Sequence, residues 1–164
     1  MEVSRRAVQL DPESFLANGA LLMALLVSGQ LEASIAAGES ALAMSGRHPW
    51  HLAWLAVALA DCGKATESDA VYAEMQARAR REYVSPTALA IAACAVARED
   101  EAIRYARAAY AIRDASFLLV SRYFPLASRL DRYPGFCEII AQMGRSDWLR
   151  DQPPLTDTQE PREQ

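Results

Sequence analysis

Two histidines and three cysteines are the side chains of this sequence that could do chemistry. His48 and His51 flank Pro49-Trp50 as an HxxH, and two imidazoles three residues apart on a helix can share a metal ion. No third ligand stands within sequence reach, and Pro49 marks a helix start inside the motif. The pair therefore reads as a capping His48 and a surface His51. Cys62 could act as a nucleophile with His51 as its base, but no basic cluster adjoins it to favour the thiolate. It reads as a small apolar residue beside a turn, and Cys94 and Cys137 read as buried in apolar stretches. An odd number of cysteines without a CxxC spacing fits reduced thiols in a cytoplasmic protein. Glycine-rich phosphate loops, serine elbows and acidic metal loops are absent. The expectation is a protein that is not an enzyme, with no cofactor and no metal.

Charge is equally uninformative about chemistry. The formal net charge of −4 gives no general attraction to nucleic acid or anionic lipid. Residues 78–132 hold ten arginines, densest in ARARRE, but six acidic residues are interspersed among them. Such mixing marks a solvated helix face laced with i,i+4 pairs, and no nucleic-acid partner is expected. The longest apolar run, Phe15–Val27, has 13 residues interrupted by Asn18. A membrane span needs about 20, so this run reads as a buried helix and no membrane partner is expected. The arginines near the amino terminus are followed by no apolar stretch, unlike a secretory leader.

The elements that position these residues are announced by self-similarity. Gly29 and Gly63 stand 34 residues apart, and one further step lands on Ala97. Eight residues before each turn stand Leu21, Leu55 and Leu89; four before stand Leu25, Leu59 and Ala93. Five after stand the small residues Ser34, Ser68 and Ala102, and twelve after stand Ala41, Met75 and Ala109. Paired leucines stack on one helix face, glycine supplies the left-handed residue that ends the helix, and a small residue lets the next helix approach closely. Each unit is helix, tight turn, helix, and only stacked units bury a continuous core. Asp11-Pro12, His48-Pro49 and Ser85-Pro86 each place a cap before a proline suited to a first helical turn. The pattern predicts helices over 3–10, 13–28, 31–45, 50–62, 65–81, 86–96, 99–112, 115–123 and 134–143.

A 34-residue helix-turn-helix with these offsets resembles the tetratricopeptide repeat family. The resemblance covers residues 1–114 and departs from the family at Asn18, Leu52 and Pro86, where a tryptophan is usual, and at Leu22 and Gly38. It implies an all-α, right-handed solenoid of about three helix pairs, with units over 13–45, 49–81 and 83–114 and a helical cap over 115–144; the polar, proline-rich composition beyond predicts a disordered tail over 145–164. The stretch carrying Tyr83, Pro86, Arg113-Asp114, Pro134, Phe136 and Met143-Gly144 is similar to the carboxyl-terminal ends of bacterial multidomain regulators with winged-helix, cyclase or kinase domains. Residues 3–10 then fit the second half of a repeat's second helix, so the chain reads as the carboxyl-terminal part of something longer.

Family members line a concave groove with first-helix residues. The resemblance maps that groove onto Leu16, Met23, Val27, Trp50, Trp54, Val57 and Ile91, without the lysine and asparagine that clamp a terminal carboxylate. An apolar strip of this size is seldom left bare. It implies a non-catalytic scaffold holding a protein or peptide with an apolar helix or segment, or else a self-associating structural module whose groove is buried by a second copy of the chain or by an upstream domain.

Overall fold

The computed structural model describes residues 2–118, 130 and 133–146, and every regular element among them is helical. In chain order these are α1 (Glu2–Leu10), α2 (Phe15–Val27), α3 (Leu31–Met44), α4 (Pro49–Asp61), α5 (Ala65–Ala79), α6 (Pro86–Ala95), α7 (Glu99–Ala111) and α8 (Pro134–Gln142). Each expected helix within the described residues is present, with its ends moved by at most a few positions. Of the stretch expected to be helical over 115–123, residues 115–118 are helical and the remainder lies outside the described residues, as does the tail beyond 146. No described helix is long and apolar enough to cross a membrane.

The 34-residue period is written into the backbone. Gly29, Gly63 and Ala97 adopt φ of 72°, 77° and 55°, the left-handed conformation that closes a helix. Each turn repeats the same two bonds. The amides of Gly29, Gly63 and Ala97 donate to Leu26, Ala60 and Cys94, and the next amides donate to Leu25, Leu59 and Ala93. The small residue five positions on repeats as well. Ser34 Oγ donates to the Leu22 carbonyl at 3.0 Å, and Ser68 Oγ donates to the Ala56 carbonyl, again 34 residues along, at 2.8 Å. A buried serine thus ties each second helix to its own first helix, and in the third unit Ala102 keeps the small size without the bond.

Helix starts follow the prolines only in part. His48 caps α4 as expected, its Nδ1 accepting from the Trp50 amide at 3.2 Å. At α2, Ser14 and not Asp11 is the cap, accepting from the Ala17 amide at 3.3 Å, and Pro12 lies in the preceding turn. Asn18 explains that shift. Its Nδ2 donates to the carbonyls of Pro12 and Ser14, which pins the turn to the helix and satisfies a buried amide. Ser85 is the N-cap residue of α6 ahead of Pro86, as expected, but its side chain makes no capping hydrogen bond. Its hydroxyl, with that of Thr87, donates to Asp114 Oδ2, while Ser116 holds Oδ1 through its amide and hydroxyl. The Ser85 and Thr87 hydroxyls bind the start of α6 to the turn after α7; burial pushes the Asp114 carboxyl up, but the hydrogen bonds from Ser116, Ser85 and Thr87 outweigh it and hold the carboxyl below its usual range.

Packing is densest within the pairs α2–α3, α4–α5 and α6–α7, and adjoining pairs meet through α3–α4, α4–α6 and α5–α6. The core centres on α4 and α6. Every residue of α4 from His51 to Leu59 is buried, as is every residue of α6 from Thr87 to Cys94. Phe117, Leu130, Tyr133, Phe136, Ile139 and Ile140 join the same core from the carboxyl-terminal side. Within residues 78–132 Arg78 pairs with Glu82 at i,i+4 and Arg104 with Glu101 at i,i+3, while Arg107 reaches Glu138 on α8 and Arg47, outside that stretch, pairs with Glu74 of α5.

Candidate binding groove

α2 is built differently from the other first helices. Its stripe Leu22, Leu25 and Leu26 is buried, yet Leu16 is 78% exposed and Val27 61% exposed. Ala20 is also exposed, and Met23 and Ala24 are half-buried. Positions 16, 20, 23 and 27 fall on one helix face, so a second apolar stripe faces away from the core. With Phe15, Gly19, Trp50 and His51 it lines an open groove of about 660 Å³, to which, among the described residues, no acid, lysine or arginine contributes.

The residues that the sequence assigned to one groove divide in two. Leu16, Met23, Val27 and Trp50 line it. Trp54, Val57 and Ile91 do not: they are 1%, 3% and 1% exposed and belong to the core. The reason is the depth of packing around α4 and α6, each covered from more than one side, so that apolar residues all round the helix are enclosed. The unbroken run HLAWLAVALA in α4 carries that signal, since a helix apolar on every face is a buried helix.

His51 is the second correction. Its expected surface position is instead fully buried, with the Phe15 ring stacked 4.3 Å away between centroids and Ser45 Oγ 3.3 Å from Nδ1. Nε2 is turned against Gly19 of α2, and among the described residues no partner meets it with full hydrogen-bonding geometry. A Cβ on Gly19 would stand 2.9 Å from it, so the glycine at that position is what admits the ring. Burial pushes the His51 pKa below the usual imidazole range; the neighbouring His48 adds to this and the Phe15 backbone opposes it. His48 is lowered too, by burial first and then by Arg78. Both rings are therefore neutral near pH 7.

The polar groups raised by the sequence do not assemble into a reactive site. Cys62 is half-buried, not buried, and its Sγ donates to Glu32 Oε1 at 3.8 Å, whereas the His51 ring is engaged by Ser45. Cys94 is buried and Cys137 half-buried. Among the described residues no group of three or more His, Cys, Asp or Glu is placed to hold a metal ion. What the groove can do chemically is remove apolar surface from water. Comparison with protein-family models, curated proteins and solved structures yields no match to this chain.

Proposed function

We propose that this chain is a non-catalytic interaction module of the tetratricopeptide kind, its helix pairs stacked as a right-handed solenoid, and that the groove along α2 holds an apolar helix or segment of another protein. The observation that carries the reading is the exposed stripe of Leu16, Ala20, Met23 and Val27 beside Trp50. Contiguous apolar surface of this kind marks interaction sites on soluble domains. The recurrence of turn, hydrogen bond and small residue at 34-residue spacing supports the repeat reading. The likeness of the stretch from Tyr83 to Gly144 to the ends of bacterial regulators supports a regulatory setting in the cytoplasm.

Selection from a displayed library of helical peptides tests the groove. Peptides recovered on the wild type should carry an apolar face and lose at least tenfold in affinity for Leu16→Glu, about 1.4 kcal/mol. Binders that ignore this substitution would place recognition elsewhere and refute the groove.

A further inference from the structure

We propose that a second cavity, walled by the rings of Phe15, Trp50 and Tyr83 and bordered by the Asp114 carboxylate, binds a quaternary ammonium cation. The site goes beyond the groove reading and does not rest on it, although Phe15 and Trp50 line both hollows. Its volume is about 450 Å³, within the roughly 300–1,000 Å³ of small-ligand sites. It lies where the starts of three first helices meet. Phe15 opens α2, His48 caps α4 ahead of Trp50, and Ser85 precedes α6.

The rings favour a cation. Phe15 and Trp50 are partly exposed, and Tyr83, in the loop between α5 and α6, is 76% exposed. Aromatic faces are electron-rich and attract a positive charge within about 6 Å of the ring centre. Charge agrees with them. Among the described residues Asp114 is the one acid lining the cavity, and no lysine or arginine lines it. The low pKa of its carboxyl keeps it ionised at neutral pH.

Hydrogen bonding then chooses among cations. Oδ2 of Asp114 accepts from the Ser85 and Thr87 hydroxyls, and Oδ1 accepts from the Ser116 amide and hydroxyl. A carboxylate has about four lone-pair sites, and these four donors occupy them. A lysine or arginine head would meet charge there without a free acceptor, and a hard metal ion would find no free oxygen to bind. A quaternary ammonium has no N–H to satisfy and sets methyl groups against the rings, as in aromatic cages. Its needs match what the site still offers.

NMR titration of the full chain with choline, read at the Trp50 indole and at the Tyr83 and Ser116 amides, tests the site. Those resonances should shift together and saturate, with a dissociation constant on the order of millimolar because the cavity is open. The neutral isostere of choline, with carbon in place of nitrogen, should bind about tenfold more weakly or worse at matched ionic strength. Tyr83→Ala should weaken choline about threefold or more, while Tyr83→Phe, which keeps the ring, stays within about twofold. Both variants should melt within about 2 °C of the wild type, because the residue is exposed. Vesicles of phosphatidylcholine separate the sources of the trimethylammonium group. Co-sedimentation that Tyr83→Ala abolishes assigns it to a lipid headgroup, and a chain left in the supernatant assigns it to a free solute. Equal binding of choline and its isostere, or no saturation below about 100 mM, overturns the inference. So do shifts confined to α2, and any of these failures leaves the groove reading standing.

Discussion

α2 and α6 are both the first helix of a pair, both apolar and both closed by the same left-handed turn, yet only one is covered. α6 is packed against α4, α5 and α7, and its buried residues share one core with Phe117, Leu130 and Phe136. Every residue of it from Thr87 to Cys94 is buried. α2 has α1 and α3 beside it and only a slight contact with α4, and α1 itself buries no residue. The same kind of sequence thus yields a helix buried along its length in α6 and a helix with an exposed apolar stripe in α2. Neighbours decide the outcome: α6 is packed against α4, α5 and α7, and α2 mainly against α1 and α3.

Substitutions should separate the two regions sharply. The largest effect is expected at Trp54, where Trp54→Ala removes a side chain that is 1% exposed and should destabilise the fold by about 3–5 kcal/mol. A loss under about 1 kcal/mol in urea titration would return Trp54 to the surface strip.

Gly19→Ala sharpens the boundary between groove and core. Alanine is about 1 kcal/mol better than glycine in a helix, but here its Cβ would press on His51 Nε2 at 2.9 Å. The net effect should be a loss of about 1 kcal/mol or more. In a His51→Ala background the same change should become stabilising, and a double-mutant cycle measures the reversal. An additive cycle would show that ring and glycine do not conflict.

Acid should act at the same junction. The folded-state pKa values of His48 and His51 lie below the ordinary imidazole value, so the unfolded chain binds protons first as pH falls. Stability should be level above about pH 6.5 and decline below it. Carboxylates with lowered pKa values, Glu74 and Asp114, contribute losses only in a lower window, below about pH 4. Replacing His51 by Gln should flatten the decline between about pH 5 and 6.5; an unchanged slope would mean that His51 is not the group titrating.

The smallest effect is a gain. Ala97 holds the left-handed turn at φ 55° where the two earlier units use glycine. Ala97→Gly should raise stability by about 1 kcal/mol by removing the Cβ penalty. A decrease would indicate that flexibility gained in the unfolded chain outweighs that relief.

Most of the helical architecture was legible because local physics writes it. A glycine turn, a leucine pair and a small residue at fixed offsets leave little choice of element, and His48 before Pro49 announced its cap. Coverage was not legible. First-helix position alone could not tell Trp50, which lines the groove, from Trp54, four residues on and buried, because the distinction depends on which neighbour lies alongside. Nor did periodicity reveal the Asp114 clamp, whose donors Ser85 and Thr87 come from nearly a full repeat away. His51 escaped because a polar residue among apolar ones resembles a surface position until its neighbour proves to be Gly19.

The most direct test is the difference in unfolding free energy between Leu16→Ala and Ile91→Ala, measured by urea titration at low protein concentration. Leu16 is 78% exposed and Ile91 is 1% exposed. Leu16→Ala should change stability by no more than about 0.5 kcal/mol, and Ile91→Ala should lower it by about 2–5 kcal/mol. Equal losses at the two positions would mean that α2 is enclosed as α6 is, and that the chain has no open apolar face to offer.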